Sequence, residues 1–144
     1  QRDFLNRVIE LNNQKSKLIS LHSRRAVDEL LNILENMTQG HAILHWLSAT
    51  EEQIQRALQN PQIFFSINPA MTKSRQAKTW LKVLPKERVL CETDGPYIKM
   101  GQKEITPFDT KVVVEFFARA WGIEVEETLN IIEENHRKAL KNIF

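Results

Sequence analysis

The chain has 144 residues, 42% hydrophobic and 26% charged, an ordinary globular mixture that fits one compact domain or a piece of a larger one. Twenty basic side chains against eighteen acidic ones leave a formal charge of +2. That balance excludes a general polyanion binder, so any contact with nucleic acid must be local. No apolar stretch is long enough to span a membrane, and no signal-peptide pattern is visible.

Gln1 already lies in what reads as a helix, so the natural N-terminus is expected upstream. Phe4, Val8 and Leu11 share one face of that helix. Residues 17–22 read as a short strand, followed by a helical stripe of Ala26, Leu30, Ile33 and Leu34. After Gly40 a second strand covers 42–46. Thr50 opens the next helix, with Gln53 three residues on completing a capping-box pattern. Ile54, Ala57 and Leu58 form its buried side, and Asn60-Pro61 stops it.

A third strand, rich in Phe and Ile, spans 63–67. Ala77, Trp80, Leu81 and Leu84 mark another amphipathic helix, ended by Pro85; a fourth strand follows over 89–92. Thr106-Pro107 pairs a capping residue with proline at the first helical position. The core side of that helix is Val113, Phe116, Phe117 and Ala120, and Gly122 closes it. The last helix carries Val125, Leu129, Ile132, His136, Leu140 and Ile143 in one stripe.

Four strand–helix units in strict alternation predict an α/β fold with a parallel sheet and no internal domain boundary over residues 1–144. A doubly wound sheet or part of an eight-stranded barrel would fit. A dinucleotide-binding sheet needs a glycine-rich phosphate turn, and the glycines at 40, 95, 101 and 122 form none.

Three of the four predicted strands run into a metal-ligating residue type: His22, His45, and Asp94 just beyond Glu92. In a barrel, the C-terminal ends of all strands meet at one face, where active sites form. If His22 points inward, Ser20 does too, while Ile19 and Leu21 face the helices. Imidazole with carboxylate oxygen suits zinc, manganese or iron, and magnesium less readily. By spacing alone this is a possible metal site.

Three motifs sharpen it. Leu90-Cys91-Glu92-Thr93-Asp94-Gly95-Pro96-Tyr97 resembles the E-T-D-x-P-Y signature of the TatD family of metal-dependent deoxyribonucleases. His22-Ser23-Arg24-Arg25-Ala26 is similar to its H-x-R-x-A segment, and His45-Trp46-Leu47-Ser48 to its H-x-F-S segment. The motifs keep the family's order across nearly the whole chain.

The resemblance implies the C-terminal half of a TIM-like (β/α)8 barrel that hydrolyses phosphodiester bonds in DNA with divalent metal ions (Mg, Mn or Zn). It implies His22, His45 and Asp94 as metal ligands, Asp94 also steering the proton of the attacking water. Glu92 would support a ligand from behind or bond within the barrel. Arg24 would hold a phosphate oxygen or pair at the rim. The family's first-strand His-x-His and an earlier glutamate have no counterpart here and would precede Gln1. Trp46, Leu47 and Ala49 depart from the family's small residue, Phe and Gly, which affects substrate fit beside His45.

The remaining groups have plainer expectations. Cys91, the lone cysteine, should pack as a small buried hydrophobe, which suits a reducing compartment such as the cytoplasm. His41 should be solvent-exposed at the far end of the barrel. His136 should be packed and hydrogen-bonded, and Lys73, Arg75 and Lys78 should be solvated. Two other readings stay open: a barrel hydrolase of a small amide or ester, and a non-catalytic interaction module. Half a barrel leaves two strand edges unpaired, so the missing N-terminal half or another chain is expected to cover them.

Overall fold

The computed structural model describes residues 1–46 and 48–141, and counts of elements and contacts refer to these. In chain order the elements are α1 (Arg2–Lys15), β1 (Leu18–His22), α2 (Val27–Leu34), β2 (His41–His45), α3 (Glu51–Leu58), β3 (Ile63–Ile67), α4 (Ala77–Val83) and β4 (Val89–Cys91). A small hairpin of β5 (Lys99–Met100) and β6 (Lys103–Glu104) follows, then α5 (Lys111–Trp121) and α6 (Val125–Ala139). The helix ends obey local chemistry. The Thr50–Gln53 capping box forms reciprocally at the start of α3. Gly122 ends α5 in the left-handed conformation.

β1, β2, β3 and β4 pair in sequential order and in parallel. This is half of a TIM-like barrel, with one edge of β1 and one of β4 open among the described residues. Strand alternation divides the sheet between two surroundings. Ile19, Leu21, Ala42, Leu44, Ile63, Phe65, Ile67 and Val89 join the main core under the helices. Leu18, Ile43, Phe64 and Leu90 gather on the opposite, barrel-interior face, where Ala139 of α6 packs against them. That interior face therefore holds an apolar floor, and the strand ends above it carry the polar side chains.

Several helix faces differ from the periodicity. On α1 the buried residues are Ile9 and Asn12, while Phe4 is 75% exposed and Leu11 is also exposed. Asn12 is buried because it is satisfied: it donates to Gln39 O (2.8 Å) and accepts from Lys17 N (2.9 Å). On α6 the buried face is Thr128, Ile132, Asn135 and Ala139, and Val125, Leu129 and Leu140 are exposed. Asn135 donates to Lys86 O and Val89 O at 2.7 and 2.9 Å, which ties α6 to the base of β4. His136 is half-buried and bonds back to Ile132 O at 2.8 Å. Ala120 on α5 and Ala26 before α2 are exposed. Leu47 and Ile143 lie outside the described residues.

His41 corrects another expectation. It belongs to β2 and is half-buried, donating from Nδ1 to Ala139 O at 3.0 Å with its ring edge-on to Phe64. Burial holds its pKa below the ordinary imidazole value. The Ala139 hydrogen bond works against that shift and the nearby Arg88 charge works with it. The C-terminal end of α6 reaches beneath the sheet and covers the strand start that the sequence alone leaves bare.

Candidate active site at the strand ends

Parallel register puts the polar strand ends side by side. His22 lies opposite His45, and His45 opposite Ser66. The β4 ladder continues one residue past its strand through Glu92 N to Ile67 O at 3.0 Å. Glu92 therefore stands level with Asn68, one rung beyond the Ile67–Cys91 pair, on the same interior face as Ser66. The His22 and His45 ring centroids are 5.7 Å apart.

Glu92 organises the centre. Its Oε2 accepts both the His45 Nδ1–H and the Ser66 hydroxyl, and Asn68 Nδ2 donates to Oε1 at 3.4 Å. Ser66 and Asn68 are buried, Asn68 completely. Neither was among the sequence candidates. Both sit in or just beyond an apolar strand, and the only hint was a serine and an asparagine at alternate positions of a run facing the same side as His45.

The partners settle the tautomers of the two histidines. The His45 Nδ1–H goes to Glu92, so the Nε2 edge of the ring faces Asp94 Oδ1, 3.5 Å away. His22 Nδ1–H donates to His45 O at 3.3 Å, which likewise frees its Nε2. Two acceptors facing each other at 3.5 Å are stable only with a proton or a cation between them. Donors about 2.1 Å from a tetrahedral ion stand about 3.4 Å apart. A ligating histidine typically gives its other N–H to a carboxylate, as His45 does. The donor chemistry thus fits a divalent ion. Among the described residues, however, no three His, Cys, Asp or Glu side chains close into a ready cage. His45, Glu92 and Asp94 are in contact, His22 stands alongside, and Arg24 is exposed and outside the cluster.

A family model described as "TatD related DNase" matches residues 1–141. The chain belongs to the TatD-related DNase family. Human "Deoxyribonuclease TATDN3" is 28% identical over 140 residues, which cover 96% of this chain and 50% of that protein. The "Uncharacterized metal-dependent hydrolase YcfH" of Escherichia coli K12 is 28% identical over 141 residues, covering 94% of this chain and 53% of that one. Among solved structures, an uncharacterized amidohydrolase from Saccharomyces cerevisiae superposes with a TM-score of 0.80 at 14% identity, over 96% of this chain and 59% of that one. YJJV, a TatD homologue from Escherichia coli, superposes with a TM-score of 0.76 at 19% identity, over 94% of this chain and 53% of that one. These likenesses show the fold. The chain spans about half the length of the curated relatives it matches.

The TatD signature has a local physical basis. Asp94 sits at φ 52°, a left-handed conformation that Asp tolerates better than most residues. Its carbonyl accepts from Tyr97 N at 3.1 Å, closing the turn. Gly95 follows because a Cβ there would lie 2.2 Å from Ile105 O, inside the backbone of the segment after β6. Tyr97 itself is 90% exposed.

Cys91, one residue before Glu92, faces the main core. Burial, and secondarily the Glu92 charge, push its thiol up to about 12. At pH 8 only about one molecule in ten thousand would carry the thiolate. Alkylation by iodoacetamide should therefore run at least about 1,000-fold slower in the native protein than after denaturation. Equal rates in the two states would contradict the burial of this side.

A second cleft, about 520 Å³, lies at the opposite end of the strands beside Leu34, Asn60 and Ile63. Its Arg56 is paired with Glu35. Among the described residues, no histidine, cysteine or aspartate lines it.

Proposed function

We propose that the full-length protein carrying this chain is a metal-dependent hydrolase that cleaves phosphodiester bonds in DNA. His22, His45 and Asp94 would be metal ligands contributed by this chain. The observation that carries the reading is the His45 ring held between Glu92 and Asp94, with its Nε2 turned to the Asp94 carboxylate.

A bound divalent ion would supply Lewis acidity and an activated water. The residues of this chain do the rest. Glu92, braced by Ser66 and Asn68, holds the His45 ring with its Nδ1–H toward the carboxylate and its Nε2 toward Asp94. Asp94 offers one oxygen toward His45, and a carboxylate in that position can also take the proton of the attacking water. The exposed Arg24 presents a planar fork suited to a phosphate oxygen.

The test is cleavage of an end-labelled oligonucleotide by the full-length protein stripped with chelator, then resupplied separately with Mg²⁺, Mn²⁺ or Zn²⁺. Activity should vanish on stripping and return with at least one ion. His45→Ala should not recover at any ion concentration at which the wild type does. Cleavage that persists in chelator would remove the metal from the reading.

The open edges of β1 and β4 imply a partner as well: the complementing half of the barrel, or another chain covering the same edges. The 144-residue chain on its own should therefore sediment as an associated species at micromolar concentration. A cooperatively folded monomer under those conditions would contradict this.

A further inference from the structure

Strand β3 brings no histidine or carboxylate to the strand-end face. β1 and β2 end in histidines and β4 runs into Glu92, whereas Ile67 ends β3 and Asn68 follows it. We infer that Asn68 is a positioning residue for the metal cluster: it fixes the roll of the Glu92 carboxylate, and through that carboxylate the direction in which the His45 ring is presented. This rests on the metal reading above and adds to it a residue that acts at two removes, from Asn68 to Glu92 to His45.

Three observations carry it. The first is which way the Asn68 amide faces. Its Oδ1 accepts from Met71 N at 3.0 Å, and only the oxygen end of a carboxamide can do that. The NH₂ end is therefore the one turned to Glu92 Oε1, 3.4 Å away. The second is the division of labour on Glu92. Oε2 takes both the His45 ring N–H and the Ser66 hydroxyl, while among the described residues only Asn68 reaches Oε1. The Glu92 backbone is held by its N–H on Ile67 O, which leaves the side-chain torsions free. The terminal torsion of a glutamate is broad and close to two-fold, so the backbone does not choose it. A donor on Oε1 does: if the carboxylate rolls away from Asn68, Oε1 loses its partner and Oε2 leaves the His45 N–H.

The third is the base on which Asn68 stands. Its side chain is fully buried, its carbonyl also accepts from Met71 N at 3.1 Å, and its own N–H lies 3.5 Å from Met71 Sδ. Met71 in turn is 2% exposed and packed in the main core. The amide is thus fixed to the core and not to a solvent loop. At 3.4 Å its bond to Glu92 is long, so its contribution is direction more than strength.

The two ends of the amide can be separated by substitution. In Asn68→Thr a hydroxyl can still accept the Met71 N–H, as Ser and Thr do in place of Asn in such turns. It is too short to reach Glu92. Asn68→Ala removes both contacts. In the full-length protein stripped with chelator, Zn²⁺ or Mn²⁺ is titrated against a competing chelator, beside a thermal melt without metal. Both variants should bind the ion about 10-fold more weakly, while only Asn68→Ala should melt clearly lower. A residue that merely caps the turn would give the opposite for Asn68→Thr: wild-type affinity with a wild-type melt. Asn68→Ser repeats the comparison without the extra methyl group if the threonine does not fold.

A metal-free readout accompanies the titration. The His45 proton on Nδ1 should give a resolved downfield NMR signal in the stripped wild type, because the carboxylate slows its exchange with water. In Asn68→Thr that signal should broaden. Wild-type metal affinity in a folded Asn68→Thr, or an unbroadened ring-proton signal, would overturn the assignment. A wild type that binds no divalent ion would instead remove the metal reading, and the ring-proton signal alone would then decide whether Asn68 sets the histidine.

Discussion

Asp94→Asn in the full-length protein should lower metal-dependent DNA cleavage by about 100-fold or more, since loss even of a partner behind a metal ligand costs about 10–100-fold. The substitution isolates the charge. Asparagine matches aspartate in volume and tolerates the left-handed backbone that residue 94 adopts at φ 52°. The Tyr97 N–H that closes the turn bonds to the main-chain carbonyl of residue 94, so it is untouched. What changes is the oxygen 3.5 Å from His45 Nε2. A neutral amide there is a weaker ligand and cannot take a proton from water. The check is cleavage measured across metal concentrations beside a thermal melt. A preserved melting temperature with lost cleavage supports the assignment. Wild-type rates at limiting metal would show that Asp94 neither binds the ion nor moves a proton.

Glu92→Gln should weaken metal binding by about 10–100-fold and reduce folding stability by about 1–3 kcal/mol. The reason is a count of donors. Glu92 is an acceptor at both oxygens, and the His45 ring N–H, the Ser66 hydroxyl and the Asn68 amide all converge on it. Glutamine brings its own NH₂, which must confront at least one of them. If that NH₂ faces Oε2's former partners, the Ser66 hydroxyl can rotate to accept, but the His45 Nδ1–H loses its partner and the ring is free to switch tautomer. If it faces Asn68, two amide donors meet in a place where Asn68 is fully buried. Titration of Mn²⁺ or Zn²⁺ against a competing chelator reads the first effect, and denaturant unfolding reads the second. An unchanged metal affinity would mean that Glu92 braces the barrel interior without setting the histidine.

The two substitutions separate roles that lie two residues apart on one loop. Asp94→Asn should act on chemistry with little effect on folding. Glu92→Gln should act on both, because its side chain is the point where β2, β3 and β4 are joined by polar contacts.

The alternation of strand and helix was legible in the chain because period-two and period-3.6 patterns are local, and the punctuation at Thr50, Asn60-Pro61 and Gly122 is local too. Consecutive strand–helix units imply a parallel sheet, and in a parallel sheet all strand ends point the same way. That alone places His22, His45 and Asp94 at one end of the sheet. The E-T-D-G-P-Y run could be read as well, because its turn depends on residues adjacent in sequence: a left-handed Asp94 and a glycine where no Cβ fits.

Tertiary structure alone decided which polar residues are satisfied inside. Ser66 and Asn68 looked incidental in a strand of Phe and Ile until Glu92, 26 and 24 residues away, supplied their partner. Asn12 and Asn135 are buried while Phe4, Leu129 and Leu140 are exposed, because each asparagine finds backbone partners across the fold. His41 is half-covered because the end of α6 returns beneath β2, 98 residues later in the chain. A helix's apolar arc is wide enough to be rotated by one residue at small cost, and the long-range hydrogen bonds choose the rotation. Those partners are set by how the elements pack, and no local pattern in the chain encodes them.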